Sequence, residues 1–377
     1  MMPEYLDYNA TTPIDVRVAA VMTMWFEGPP GNSSSRTHVY GQRAKDAVEK
    51  ARQQVADVIG AKPEEIIFTS GATESNNLAI LGLIAHGERT GRRHIVSTAI
   101  EHKAVLEPLV EMQRRGFDVE LAPVTSGGYV EPDAILERLR PDTLLVSVMH
   151  ANNETGILQP VHEIADLLEG TDTLFHTDAA QTFGKQVEQL RSLRCDLMSI
   201  SGHKIYGPQG IGALVVRRSK SQRMPLGPLM FGGGQERKLR PGTTPVALVI
   251  GLGEAARLAS REFSARATVA AQVKEQLLRE LDSVSHAING DQSRCQPNVL
   301  NVSFPGVDSE ALMMALGDKM AVSNGAACTV ANHEANHVLT AMRLGSERIS
   351  EAIRISWGFD VAEISITALK RAIYRLR

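Results

Sequence analysis

Short apolar runs alternate along the chain with longer amphipathic stretches. Residues 65–69, EIIFT, are rich in β-branched and aromatic side chains, which predicts a buried strand. The same pattern predicts strands over 94–98, 119–124, 144–149, 174–177, 196–201 and 212–217. Between them, apolar positions recur at helical spacing over 44–59, 74–85, 105–115, 132–138 and 161–168. Strands that read as continuous apolar runs, separated by helices, imply a mostly parallel sheet covered on both faces.

Residues 247–280 carry one long helical pattern that reads as a bridge. Beyond it the character changes to a strand over 298–304, a helix over 309–316, a strand over 352–357 and a closing helix. The expectation is an α/β protein with two parts. A large domain takes residues 15–259, and a smaller α+β domain takes 1–14 together with 260–377.

Composition narrows the function classes. With 377 residues, 43% hydrophobic and 22% charged, the chain can bury one large core and a second smaller one. A net charge of −3 gives no footprint for nucleic acid or an anionic membrane. No apolar run approaches the roughly 20 residues of a membrane-spanning helix. The start, MMPEYLDYNATTP, lacks the basic and apolar regions of a secretory signal. The three cysteines, Cys195, Cys295 and Cys328, are far apart and form no metal-binding pair. A cytoplasmic protein with neither nucleic-acid nor membrane partners is expected.

Four strand ends hold the candidate chemistry, because ligands of open α/β sheets sit outside the carboxyl ends of strands. Residues 70–75, SGATES, lie between a strand and a helix. Gly71 allows a tight turn, and the amides of Ala72 and Thr73 at a helix N-terminus suit a phosphate; a Ser/Thr helix cap reads equally well. Asp178, in HTDAAQ, is a carboxylate at a strand mouth, either an internal ion-pair member or the partner of a cationic ring nitrogen. Lys204, in SGHKIYGPQGIG, follows the next strand amid glycines that let backbone approach a ligand. It is a loop lysine or a desolvated nucleophile. HANNETG, residues 150–156, reads first as turn chemistry. Taken together, a phosphate cradle, an acid for a ring nitrogen and a lysine that can take an aldehyde are the parts pyridoxal 5'-phosphate needs.

At this point the sequence resembles a known family. YLDYNATTP, SGATESNN, EHKAV, HANNETG, HTDAAQ, SGHKIYGPQGIG, GGGQERKLRPGT, SNGAACT and AIRIS occur in an order similar to that of the NifS/IscS-type cysteine desulfurases. The resemblance runs along the whole chain. It implies an aspartate-aminotransferase-like (fold type I) pyridoxal-phosphate enzyme that converts L-cysteine to L-alanine. By resemblance, Lys204 carries the cofactor aldehyde, Asp178 pairs with the pyridine nitrogen and Gln181 contacts the ring hydroxyl. Thr73 with the Ala72 amide, Ser201 and His203 hold the phosphate. Thr243 reaches the cofactor of a neighbouring subunit, which implies a homodimer. His102 stacks on the ring and moves protons, Asn153 lies beside it, and Asn32 and Arg354 bind the substrate carboxylate. Cys328, among small polar residues, takes the sulfur as a persulfide and hands it to a protein acceptor.

The chain departs from the family at Ser33 and Ser34, where a proline is usual after the asparagine, and at His333 and His337. It also stops at Arg377, short of the tail that docks an iron–sulfur scaffold in many relatives. That points toward tRNA thiolation or DNA phosphorothioation rather than iron–sulfur assembly. Selenocysteine lyase and other class V aminotransferases are the near alternatives. Residues 333–337, HEANH, match the H-E-x-x-H of zinc proteases, with Glu334 as base, and supply a rival from another class. That reading lacks a third ligand, and no metal is expected. A non-enzymatic sulfur-carrier scaffold is the remaining rival, against which the intact Lys204 and Cys328 argue.

Overall fold

The computed structural model describes residues 2–217, 224–324 and 336–377. Among these, strands occur at Glu4–Tyr5 (β1), Ile66–Thr69 (β2), His94–Thr98 (β3), Asp118–Ala122 (β4), Thr143–Ser147 (β5), Leu174–Asp178 (β6), Leu197–Ser201 (β7) and Gly212–Val216 (β8). The later strands are Ala287–Ile288 (β9), Val299–Ser303 (β10), Met320–Ala321 (β11) and Ala352–Ser356 (β12).

The central sheet has seven strands in the order β2-β8-β7-β6-β5-β3-β4. β8 runs antiparallel to both neighbours, and the remaining pairs are parallel. β2, β3, β5, β6 and β7 therefore end at the same edge. β5 and β7 are buried along their whole length, which is why they read as unbroken apolar runs. A three-stranded antiparallel sheet, β12-β10-β9, and the parallel pair β1-β11 complete the described sheets.

The helix Val246–Leu281 contributes to two apolar clusters. Val249, Leu252 and Ala256 join the cluster on the central sheet. Val273, Leu277 and Leu281 join a second one with Leu300, Ile355 and Trp357. One helix thus shares in both clusters.

One expected helix divides and one helix was not expected. The helix expected over 74–85 is two, Ala72–Leu81 and Ile84–Thr90. Gly82 separates them, and its carbonyl is taken by the Gly227 amide at 2.8 Å. The helix Val16–Glu27, which the apolar pattern does not predict, is capped by Asp15 and buries Val18 alone. Without a buried stripe it leaves no helical period to read.

Candidate functional site

The turn after β2 has a conformation that only glycine adopts readily. Gly71 sits at φ 152°, ψ −179°, and no side chain caps the helix that starts at Ala72. The first amides of this helix therefore face outward with the dipole's positive end behind them. The acidic residue of the first turn is turned to structural use. Glu74 accepts the Ser70 amide at 2.6 Å and the Arg240 guanidinium at 3.0 Å.

β7 ends at Ser201, and a 3₁₀ turn, Gly202–Lys204, follows. The His203 ring lies 3.1 Å from the Thr11 hydroxyl. Burial, reinforced by the Lys204 charge, holds this imidazole down to about 4, so it is neutral at neutral pH. The Lys204 amine donates to the carbonyls of Asn9 and, at 2.7 Å, Ala10.

β6 and β7 are parallel neighbours with Asp178 opposite Ser199, so Asp178 and Lys204 leave adjacent strand ends. The buried Asp178 carboxylate accepts the Ala180 amide at 2.8 Å and the Asn76 amide group at 2.6 Å. Gln181 donates to the Asn9 carbonyl at 2.9 Å, while its Oε1 is buried without a partner among the described residues. His102 caps the helix Lys103–Arg114, its Nδ1 accepting the Ala104 amide at 3.0 Å. The neutral ring therefore carries its proton on Nε2. Burial pushes its pKa down, against the opposing pull of Asp178.

Arg354 lies buried on β12. Its guanidinium donates to Asp7 at 2.7 Å and to Glu154 and the Asn153 carbonyl at 3.0 Å each. Asn153 donates to Glu154 at 2.7 Å, and Asn153 Oδ1 is buried without a partner among the described residues. Asn152 accepts the amides of Glu154 and Thr155, so the turn reading of HANNETG holds.

These groups meet. One cavity of about 480 Å³ is lined by Ala72, Thr73, Ser201 and His203, by His102, Asp178, Gln181 and Lys204, and by Asn153 and Arg354. Its size falls within the roughly 300–1,000 Å³ usual for small-molecule sites. The chemistry fits a phosphorylated pyridine aldehyde. An uncapped helix N-terminus and a neutral imidazole suit the phosphate, a doubly hydrogen-bonded carboxylate suits a ring N–H, and the orphaned oxygen of Gln181 accepts from a hydroxyl. A Cβ at Gly71 would meet nothing within 4 Å, so the cradle is open.

Asn32 does not join them. It is exposed, and its side chain closes a local turn on the Ser34 amide at 2.9 Å. It lines none of this cavity. With serines at 33 and 34 the loop is free to make that turn. Thr243 is exposed and lines none of this cavity. Cys328, His333 and Glu334 lie outside the described residues. His337 opens the helix His337–Ala341, with Nε2 spent on the Glu101 carbonyl at 2.9 Å rather than held for a metal.

Sequence reasoning missed Asn76, which fixes Asp178, and the Asp7–Arg354–Glu154 ion pairs. Asn76 stands one helical turn after Ala72 within SGATESNN, a spacing that puts it on the same face.

The class-V aminotransferase family model matches residues 4–369. The cysteine desulfurase IscS of Pectobacterium carotovorum subsp. carotovorum (strain PC1) is 43% identical over 383 aligned residues, covering 100% of this chain and 94% of that protein. The crystal structure of DndA from Streptomyces lividans is 48% identical with a TM-score of 0.82, covering 93% of this chain and 98% of that one. A structure of SspA in complex with cysteine is 36% identical, TM-score 0.82, covering 94% and 98%.

Proposed function

Because the chain belongs to the class-V aminotransferase family and is a pyridoxal-phosphate-dependent cysteine desulfurase, we propose that the cavity between β6, β7 and β12 is its active site and that Cys328 takes the sulfur. The observation that carries this reading is the convergence of Lys204, Asp178 and an uncapped helix N-terminus on one cavity. When bound, pyridoxal phosphate supplies an electron sink for the substrate Cα.

The chain's own residues do the rest. Thr73, the Ala72 amide, Ser201 and His203 hold the phosphate. Asp178, fixed by Asn76 and Ala180, keeps a proton on the ring nitrogen. Gln181 orients the ring hydroxyl, and Asn153 lies beside the ring. Arg354, aligned by Asp7 and Glu154, orients the substrate carboxylate. Lys204 binds the aldehyde and moves the proton at Cα. His102 Nε2–H serves as the second proton carrier. The Cys328 thiolate attacks the substrate sulfur. The carbon–sulfur bond breaks, its electron pair stays on carbon, and that carbon takes a proton to give L-alanine. Cys328 is left as a persulfide, whose outer sulfur passes to a protein acceptor. The same reading assigns residues 15–259 to a large domain and 1–14 with 260–377 to a small one, supported by the second apolar cluster.

A homodimer belongs to the proposal, supported by the exposed position of Thr243 and by large apolar side chains left in solvent. So does the cytoplasm, supported by the unpaired Cys195 and Cys295. Among the described residues no helix is long and apolar enough to cross a membrane.

The test uses purified protein loaded with cofactor. Wild type is yellow, bleaches with borohydride and forms alanine from cysteine. Lys204→Ala loses the bleachable colour and at least about 100-fold in rate. Cys328→Ala keeps the colour and loses turnover of cysteine together with the persulfide seen by mass spectrometry. Full cysteine turnover in Cys328→Ala would overturn the persulfide assignment.

A further inference from the structure

One stretch of chain holds Lys204 at both ends. At the tip, the amine donates to the carbonyls of Asn9 and, at 2.7 Å, Ala10. At the root, Thr12 ties down the backbone on either side. The Thr12 amide and hydroxyl both donate to the His203 carbonyl, at 2.9 and 3.0 Å. The same hydroxyl accepts the Tyr206 amide at 2.8 Å. A single oxygen of a buried side chain thus spans the residue before Lys204 and the second residue after it, as donor to one and acceptor from the other.

The turn needs such a tie. Tyr206 is left-handed, at φ 65°, a conformation that a bulky residue keeps only where its surroundings enforce it. Thr12 takes its amide, and the Asp15 amide donates to its carbonyl at 3.0 Å. Its ring lies 4.6 Å from that of Phe359, and its hydroxyl accepts the Phe359 amide at 3.1 Å. Inside the loop, the amides of Ile205 and Gly207 donate to the Gly202 carbonyl, at 3.2 and 3.0 Å. Lys204 therefore leaves a closed loop whose left-handed residue is tied to residues 12 and 15. Thr12 does not line the active-site cavity, whereas Asn9, Ala10 and Lys204 do.

We propose that Thr12 is a positioning residue of the desulfurase reaction, acting through Lys204: its hydroxyl fixes the backbone on both sides of the lysine and so sets the line along which the amine meets the substrate Cα. The inference rests on the role of Lys204 proposed above. Lysine carries its amine on a flexible carbon stem, so the amine is aimed only if the root of that stem is fixed. Proton transfer depends on the aim, because a misplacement of about 1 Å can slow a reaction about 100-fold. Without the hydroxyl, the buried Tyr206 amide loses its partner while its residue stays left-handed, and the loop relaxes toward an ordinary conformation. The substrate carboxylate is held elsewhere, by Arg354 on β12, so the effect falls on kcat rather than on KM.

The experiment measures turnover by the holoenzyme of ordinary and of Cα-deuterated L-cysteine, in wild type, Thr12→Val and Thr12→Ser. Valine keeps the shape and removes the hydroxyl; serine keeps the hydroxyl. Thr12→Val should lose about tenfold in kcat with KM within about twofold of wild type, and its deuterium isotope effect on kcat should exceed that of wild type, since a misaimed Lys204 slows the Cα proton step. Thr12→Ser should return both kcat and the isotope effect to wild-type values. A merely structural role lowers kcat through the fraction of folded enzyme and leaves the isotope effect where it was. That outcome would overturn the inference, as would wild-type kinetics in Thr12→Val or a serine variant no better than the valine one. Thr12→Ala gives the same reading if the valine variant does not accumulate. A Lys204→Ala enzyme that still turns over cysteine would instead overturn the reading on which the inference rests.

Discussion

Gly71 joins backbone conformation to ligand chemistry at a single position. At φ 152°, ψ −179° an L-residue is strained by its own backbone, of order 1–3 kcal/mol, even though its Cβ would touch nothing. Gly71→Ala should therefore lower Tm by several degrees and weaken cofactor retention, because relaxing the strain re-aims the Ala72 and Thr73 amides. Equilibrium dialysis of the cofactor, alongside calorimetry, measures both. An alanine variant with unchanged retention and unchanged Tm would show that the turn's conformation does not hold the phosphate amides in place. Glycine's place in the motif was legible in the sequence. The role of Asn76 was not, because an asparagine within a helix carries no signal of what it faces until β6 brings Asp178 to it.

At the scale of elements, strands were easier to read than helices. A strand buried on both faces shows itself as a continuous apolar run, and the runs ending at Thr69, Thr98 and Ser201 match strand ends. The helix Val16–Glu27 was illegible for the opposite reason: its apolar residues are mostly outside any core of the chain. What the pattern could not convey was the polar stitching between strands. His176 on β6 bonds Ser147 on β5 at 2.8 Å and Ser199 on β7 at 3.0 Å, spanning three parallel strands. Burial holds its imidazole down to about 3. His150 is held to about 4 by burial, against its bond to Gln189, and His203 to about 4. In an unfolded chain each titrates near 6.5, so between pH 6.5 and about 4 the unfolded state binds more protons. The folded state then loses about 1.4 kcal/mol per pH unit for each such group as pH falls. Glu101, pushed up to about 8 chiefly by burial, has the opposite sign, since its folded form keeps a proton above pH 4.5. Three histidines outweigh one glutamate, so stability should fall as pH drops from 6.5 toward 4.5. Calorimetry across that window would show a falling Tm; a flat or rising Tm would mean these histidines are protonated in the fold.

At the scale of the whole molecule, the segment from Gln235 to Thr243 ties the cradle helix to an exposed surface, the one the proposed dimer would cover. Glu236, Arg237 and Lys238 are all left-handed, at φ 41°, 58° and 68°, a conformation costing roughly 1–2 kcal/mol per residue. It is held by the Glu236 carboxylate, which accepts both Arg52 nitrogens and the Phe68 amide, each at 2.8 Å. Further on, Arg240 grips Glu74 at the start of the cradle helix. Thr243 is exposed, and the chain also leaves Phe231 90% exposed, with Val39 at 73%, Met24 at 71% and Phe26 at 68%. Isolated apolar residues are ordinary, but this many large ones suit burial by a second copy. Phe231→Glu should place an uncovered charge in that contact and yield a monomer by sedimentation. The monomer should also hold cofactor more weakly, because it lacks the neighbour's Thr243. Thr243→Ala should remain a dimer and lose about tenfold or more in cofactor affinity, the worth of one hydrogen bond to a charged group. If Phe231→Glu sediments as a monomer with wild-type affinity, the neighbour's threonine does not reach the phosphate. If it remains a dimer, the contact lies elsewhere on the molecule. Loss of affinity in both variants, with only the first losing its partner, is the pattern that a site completed across two chains requires.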